Sequence, residues 1–306
     1  RQTGLSGYVY LDANNDGARL GETGIQSVIV VLSGTESGGA PVLRQTESNG
    51  NGYYNFGNLA SGAYRLLEQQ PAGYLDGRDT VGSLGGVAGQ DVLSVTYIAG
   101  QFGQNYNFGE LLAASVFGAV YIDLNDNGAQ NGGELGIAGV TVTLQGADDL
   151  GIPVWQTRTT NSAGGFAFSG LRPGVYTLAE FQPAGYSDGK DSFPNGANNP
   201  NSDLFGGLAP ASGQDLGAYL FGESNAFLSG YVYEDEDNDG FFDPGEAPIS
   251  GVTILLSGTR SSDGSPVSYV GASGAAGLWQ FVGIPAGIYT VTEIQPLGFL
   301  DGRETL

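Results

Sequence analysis

The sequence predicts an all-β chain of three tandem seven-stranded β-sandwich units, the third incomplete. Three observations carry that expectation. A long segment recurs three times, short apolar β-rich runs alternate with turn residues inside each copy, and no window of eleven residues sustains a helical period.

The repeat fixes the frame. "SGYVYLDANNDG" from Ser6, "FGAVYIDLNDNG" from Phe117 and "SGYVYEDEDNDG" from Ser229 align, and so do the later "GNGYYNFGNLASGAYRLLEQQPAGYLDGRD", "AGGFAFSGLRPGVYTLAEFQPAGYSDGKD" and "AAGLWQFVGIPAGIYTVTEIQPLGFLDGRE". Asp12, Asp123 and Asp235 stand 111 and 112 residues apart, so one module is repeated. The units are residues 1–112, 113–224 and 225–306.

Within the first unit the β-rich runs are Leu5–Leu11, Val28–Leu32, Val42–Glu47, Tyr53–Phe56, Ala63–Glu68, Val92–Ile98 and Asn105–Leu111. Turn chemistry separates them: "SGTESGG", "SNGNG", "NLASG" and "QPAGYLDG". Seven strands at this spacing fit a sandwich of about 110 residues. If successive strands alternate in direction, the loops after strands one, three and five share one pole, where strand seven also exits toward the next unit. The connections "LAASV" and "SNAF" are short and not rich enough in Gly, Ser or Pro to act as flexible tethers, which predicts a semi-rigid rod.

Units one and two close with "NYNFGEL" from Asn105 and "AYLFGES" from Ala218, whereas unit three stops at "DGRETL" and lacks its last two strands. A sandwich without them has open edges. Plain truncation is the simpler reading; the alternative is that a neighbouring chain, or the next part of a longer polypeptide, supplies the edge by strand donation. The start at Arg1 rather than Met suggests a processed or excised portion.

Composition narrows the function. The 306 residues carry 10 Lys and Arg against 32 Asp and Glu, a formal charge of −22. That balance repels nucleic acid and anionic membranes and favours multivalent cations. With 40% apolar residues and 11% aromatics, real cores are within reach. Cys, His and Met are absent, which removes disulfides, thiolate nucleophiles, His-based zinc or iron sites and the commonest general base. No stretch of 18 apolar residues occurs, so no helical membrane insertion is expected.

Each unit's first strand runs into an acidic loop with oxygen ligands at every second residue. The pattern D-x-[DN]-x-[DN]-G-x5-E is calcium chemistry: side-chain oxygens at positions 1, 3 and 5, a turning Gly at 6, a carbonyl at 7 and a bidentate Glu at 12. Unit three fits with Asp235, Asp237, Asp239, Gly240, the Phe241 carbonyl, Asp243 and Glu246. Unit two keeps the count with Asp123, Asn125, Asn127, Gly128, the Ala129 carbonyl, Asn131 and Glu134. Unit one has Asp12, Asn14, Asp16, Gly17 and the Ala18 carbonyl, but its loop is one residue shorter, so Glu22 falls at position 11 and Thr23 at 12. The bland alternative is a solvated Asx-rich turn. Three matches at one structural position favour calcium, because carboxylates this close repel unless a cation neutralises them. Ligand charge orders the expected affinity as unit three, then one, then two.

A second acidic cluster repeats as Asp76, Arg78 and Asp79, then Asp188, Lys190 and Asp191, then Asp301, Arg303 and Glu304. It is either a surface turn whose basic residue pairs with the acids or a second cation site at the same pole, helped by Glu68, Glu180 and Glu293.

"SGYVYEDEDNDGFFDPGEAPISGVTILLSG" followed by "GIPAGIYTVTEIQPLGF" resembles the SdrD B-like repeat, a relative of the Cna B-type domain of bacterial surface proteins. The resemblance covers almost the whole chain three times. It implies a calcium-stabilised, prealbumin-like or immunoglobulin-like sandwich, extracellular or on the bacterial cell surface, used as a stalk or spacer. It carries over the ligand roles of Asp235, Asp237, Asp239 and Glu246 and their counterparts. Some Cna B-type relatives lock themselves with a Lys–Asn isopeptide bond. Here Lys190 is the single lysine, so no repeated bond of that kind can form and calcium is the expected staple.

The leading expectation is therefore a calcium-stabilised rod, stalk or fibre segment, not an enzyme, whose partners are neighbouring modules or chains. A second reading makes the units an adhesin that grips a host protein or polysaccharide through Trp155, Trp279, Phe241 and Phe242. Catalysis by the paired carboxylates is the weakest reading, since they recur at loop positions that calcium explains.

Overall fold

A computed structural model describes residues 3–200, 202–224, 226–260, 264–285 and 287–305, and all the regular structure in these residues is β. In the first unit the strands are β1 (Gly4–Leu11), β2 (Ile29–Glu36), β3 (Pro41–Glu47), β4 (Tyr53–Gly57), β5 (Gly62–Glu68), β6 (Leu75–Asp76), β7 (Val87–Gly89), β8 (Val92–Tyr97), β9 (Phe102–Gly103) and β10 (Phe108–Leu111). The second has β11 (Ala114–Ile122), β12 (Thr141–Asp148), β13 (Pro153–Thr159), β14 (Gly165–Leu171), β15 (Gly174–Glu180), β16 (Ser187–Asp188), β17 (Leu204–Leu208) and β18 (Asp215–Ser224). The third has β19 (Ala226–Tyr231), β20 (Thr253–Arg260), β21 (Pro266–Ala272), β22 (Leu278–Ile284) and β23 (Gly287–Glu293). Every run expected for the first unit coincides with one of its strands; β6, β7 and β9 are short additions.

Two sheets face each other in the first unit, ordered β4-β1-β10-β6 and β3-β2-β5-β8-β7. Alternation decides which side chains go in. Along β5, Tyr64, Leu66 and Glu68 are buried while Ala63, Arg65 and Leu67 face water. The inward residues of both sheets, among them Val9, Leu32, Tyr54, Phe56, Leu66, Val95 and Phe108, form one core. A second core gathers around Val120, Leu144, Phe168, Leu178 and Phe221, and a smaller third around Ile254, Leu256 and Phe281.

The closing strand runs parallel to the first. Val9 pairs with Phe108, Tyr10 with Gly109 and Leu11 with Glu110; Val120 pairs with Phe221, Tyr121 with Gly222 and Ile122 with Glu223. The main neighbours β1–β4, β2–β3, β2–β5 and β5–β8 are antiparallel. Directions therefore alternate as expected, and the loops after β1, β3 and β5 meet at one pole. A glycine admits the closing strand: a Cβ on Gly7 would lie 1.6 Å from the Tyr106 carbonyl oxygen, and one on Gly118 2.0 Å from that of Tyr219.

Among the described residues the third unit has the sheets β19-β22 and β21-β20-β23. Its inward position Val291 is consequently 38% exposed, where its counterparts Leu66 and Leu178 are at 0%.

The pole of each unit touches the next. The Leu112 N–H donates to Ser212 Oγ at 2.9 Å and its carbonyl accepts from Gly213 N at 2.9 Å, pinning the first connection to the second unit. Asp149, just past β12, accepts from Asn15 Nδ2 of the first acidic loop at 2.8 Å and from Arg172 at 2.6 and 2.9 Å. At the next junction Ser224 Oγ donates to the Ile284 carbonyl at 2.7 Å, and Arg260 reaches Asp188 at 3.9 Å.

Candidate metal centres

The three acidic loops fold alike. Position 1 accepts two backbone N–H groups: Asp12 from Asp16 (3.1 Å) and Gly17 (2.8 Å), Asp123 from Asn127 (3.1 Å) and Gly128 (2.7 Å), and Asp235 from Asp239 (3.1 Å) and Gly240 (2.9 Å). Position 3 accepts from the amide of position 5, so Asn14, Asn125 and Asp237 each hold it at 3.2 Å. Position 5 accepts from position 7: Asp16 from Ala18 at 2.7 Å, Asn127 from Ala129 at 2.8 Å and Asp239 from Phe241 at 2.8 Å. Gly17, Gly128 and Gly240 adopt φ of 76°, 75° and 87°, the left-handed turn the pattern needs at position 6.

The terminal glutamate reaches back to the amide after position 1. Glu22 takes Ala13 N at 3.0 Å, Glu134 takes Leu124 N at 3.1 Å and Glu246 takes Glu236 N at 3.1 Å. Glu22 thus fills the role of position 12 although it stands at 11, and the shorter loop costs it nothing in reach. Position 9 closes the ring in the longer loops, where Asn131 N and Asp243 N donate to Glu134 and Glu246 at 2.7 and 2.8 Å. Oxygens of Asp235, Asp237 and Glu246 come within 4.8 Å of one another.

The second cluster is a deeper feature than its sequence suggests. Carboxylate oxygens of Glu68, Asp91 and Glu110 lie within 4.8 Å of each other, as do those of Asp76, Asp79 and Asp91, so Asp91 is shared between two groups. The second unit repeats this with Glu180, Asp203 and Glu223 beside Asp188, Asp191 and Asp203. Glu68, Glu110, Glu180, Asp191 and Glu223 are buried. Both oxygens of Glu68, and one each of Asp76, Asp79, Asp91 and Glu110, have no hydrogen-bond partner among the described residues; Glu180, Asp188, Asp203 and Glu223 repeat the deficit. The donors include Gln70 to Glu110, Gln182 to Glu223, Ser202 Oγ to Asp188, Gly109 N to Asp79 at 3.3 Å, and Gly222 N and Asp203 N to Asp191 at 3.1 and 2.9 Å.

Burial with too few donors disfavours the charged form. Burial first, then Asp76, pushes Asp79 up to about 8, and burial with Asp188 does the same to Asp191, again to about 8. Asp76 and Asp203 rise to about 6 for the same reasons, Asp91 adding to the first and Asp188 to the second. The facing pairs Glu68–Glu110 and Glu180–Glu223 are also held well above the usual carboxylate range, burial being the larger cause.

The basic residues of this motif do not neutralise it. Among the described residues no ion pair joins Arg78, Lys190 or Arg303 to these acids. Their stems lie over the glycines of the acidic loops instead, Arg78 on Gly17, Lys190 on Gly128 and Arg303 on Gly240. Hard oxygen donors without nitrogen or sulfur suit calcium, magnesium or manganese. A separation of about 4.8 Å is also what two oxygens bound to one calcium at about 2.4 Å can span. The residues present therefore fit a cation in each group. In the third unit Glu293 is raised by burial and by Glu304 and Asp301, but Asp301 and Glu304 are exposed.

The aromatics named for ligand grip are dispersed. Trp279 packs against the third core. Phe242 stacks on Tyr231 and Tyr233 of its own unit, with ring centroids 5.3 and 4.9 Å away, while Trp155 and Phe241 stand exposed.

The SdrD B-like domain family matches residues 3–96, 114–206 and 226–305. The chain belongs to that family. Relatives of these SdrD B-like units include the serine-aspartate repeat-containing protein F of Staphylococcus epidermidis, 28% identical over 95% of this chain and 16% of its own length. Protein D of the same name from Staphylococcus aureus strain Newman is 29% identical over 96% of this chain and 22% of its own. The chain thus spans under a quarter of the length of these relatives. The Bacillus anthracis TIE protein overlaps 99% of this chain and 47% of its own, at 15% identity and a TM-score of 0.36. The major pilin subunit BcpA of Bacillus cereus overlaps 96% and 88%, at 10% identity and the same TM-score of 0.36. Likenesses this loose carry no functional weight.

Two members of each SdrD B-like pocket escape a reading of the sequence. Asp91 and Asp203 sit at αL turns with φ of 54° and 56°, and Glu110 and Glu223 lie in the closing strands. The one signal that could have found the glutamates is Phe-Gly-Glu recurring in two otherwise apolar closing strands.

Proposed function

We propose that the chain is a structural stalk segment of an extracellular, cell-surface protein, and that calcium holds each unit's pole rigid against its neighbour. Family membership and the unbroken series of units support the stalk. Calcium rests on one observation above the rest: among the described residues, five carboxylates of the first unit and four of the second keep buried oxygens without a hydrogen-bond partner at the pole that meets the next unit. A fold that encloses such charge is stable only if the acids are protonated or a cation joins them. A cation bound by the folded state alone also stabilises that state. The contact of Asn15 with Asp149 places the first acidic loop directly at a junction, so ordering that loop orders the joint. The adhesin reading has less behind it, because Trp279 and Phe242 are occupied in their own unit.

Small-angle scattering of the whole chain tests this. With calcium the longest dimension stays at that of a rod, and chelation broadens the distance distribution; magnesium at equal concentration restores less. An identical distribution with and without chelator removes calcium from the stalk.

A further inference from the structure

We infer that the outer face of the β13-β12-β15 sheet in the second unit is a docking platform for a neutral, ribbon-like polysaccharide seated on the Trp155 ring. Trp155 is 69% exposed, and among the described residues neither its ring nor its Nε1–H has a partner. Tryptophan carries a large apolar ring and a donor that is usually engaged, so one left bare on a paired strand offers a surface on which a ligand can stack.

The sheet register sets what stands beside it. Trp155 lies opposite Gln145, and Gln145 lies opposite Thr177 on its other side. All three point away from the core, because Val154 on β13, Leu144 on β12 and Tyr176 and Leu178 on β15 point into it. Two strand spacings make this row about 10 Å long. Its other members are an amide and a hydroxyl whose polar atoms make no hydrogen bond to another described residue. Pro153, Ala147 and Val175 form a parallel apolar row alongside, and the remaining outward positions of β12 and β13 are threonines.

Charge selects the ligand class. The chain has a formal charge of −22, yet the outward positions of these strands are threonine, glutamine, alanine, valine, proline and tryptophan. Such a face offers no ion pair to a cationic partner, and the acidic molecule around it repels an anionic one. A second copy of the chain is a poor occupant. Stable self-association needs about 800 Å² per partner around an apolar centre, and here amide and hydroxyl groups interrupt the apolar positions. A β-1,4-linked pyranose chain matches the face. Its rings present flat C–H faces that stack on an aromatic ring, and its equatorial hydroxyls reach sideways to an amide and a hydroxyl.

The platform belongs to the second unit. The corresponding row is Leu43, Ser33 and Arg65 in the first unit and Ser268, Ser257 and Thr290 in the third, so neither carries an aromatic there. One unit of the stalk would thus hold the glycan while its neighbours space it. The inference stands apart from the cation reading, and its experiment runs at one fixed calcium concentration so that a failure touches it alone.

The test follows the indole N–H resonances of both tryptophans in the whole chain by NMR, as pentasaccharides of β-1,4-linked glucose or N-acetylglucosamine are added. The Trp155 signal should move saturably with at least one of them, while that of Trp279, packed against the third core, stays in place. A galacturonate oligomer of the same length, which is anionic, should move neither. Followed at the backbone amides of Gln145 and Thr177, Trp155→Ala should weaken binding about tenfold or more and Thr177→Val about twofold or more, with Trp155→Tyr retaining part of it and melting unchanged in all three. A Trp155 signal unmoved up to the solubility limit of both neutral probes overturns the inference. So does equal movement with the anionic oligomer, undiminished affinity in Trp155→Ala, or a dimer of the chain that Trp155→Ala converts to monomers, since a second copy would then cover the face.

Discussion

Removing cations turns the buried carboxylates into a pH-dependent destabilisation whose sign follows from their raised values. Asp79 has a folded value of about 8 against an ordinary 3.8, and Asp191 rises equally. An acid raised in the folded state favours folding while it is protonated in both states, and that contribution is lost as pH climbs from the unfolded value through the folded one. The window is therefore about pH 4 to 8, with stability falling as pH rises. Each pH unit between the two values is worth about 1.4 kcal/mol, so Asp79 alone sets an upper bound of about 6 kcal/mol. Solvent reaching the half-buried Asp76 beside it, and relaxation of the cation-free pocket, reduce this to about 2–3 kcal/mol per unit. For a domain of this size that is a fall of about 10 °C or more in melting temperature. The assay is thermal unfolding in chelator at pH 5 and pH 8, repeated in excess calcium. Calcium requires ionised ligands, so its stabilisation grows with pH and the trend flattens or reverses. A cation-free protein that melts at the same temperature at both pH values, or higher at pH 8, refutes the reasoning.

Three smaller perturbations probe the parts. Gly118→Ala drives a Cβ to 2.0 Å from the Tyr219 carbonyl and should cost about 1–3 kcal/mol or more in urea unfolding, whereas Gly132→Ala, with nothing within 4 Å, should be near neutral. Arg172→Ala leaves Asp149 without its bidentate partner at the first junction, so single-molecule distances between units one and two should broaden with little change in melting. Glu22→Gln should weaken calcium at the first loop about tenfold or more while Thr23→Ala leaves it unchanged, because Glu22 and not Thr23 makes the closing contact to Ala13.

Local chemistry was legible and long-range juxtaposition was not. The acidic loops are contiguous, so Asp235, Asp237 and Glu246 reveal their spacing directly, and the alternation of Tyr64, Leu66 and Glu68 marks both a strand and its inner face. The shift of Glu22 by one position looked like a defect in the pattern. In the fold it is absorbed by the loop, since only the reach to Ala13 N matters. The buried pockets needed tertiary information: Glu110 meets Glu68 only because β10 inserts parallel beside β1, and Asp91 joins them from an αL turn next to β8. A surface turn with a basic partner was the leading reading for Asp76, Arg78 and Asp79 on sequence. In the fold the Arg78 stem lies over Gly17, and among the described residues no ion pair joins Arg78 to these acids.

Counting bound calcium tests the buried pockets most directly. Glu110→Gln with Glu223→Gln removes a fully buried negative charge from each of the first two pockets without opening a cavity and without touching any acidic loop. Calorimetric titration and native mass spectrometry of the whole chain should show fewer bound ions in the double variant, with the loop sites retained. An unchanged ion count and unchanged affinities would contradict the assignment of cations to these pockets.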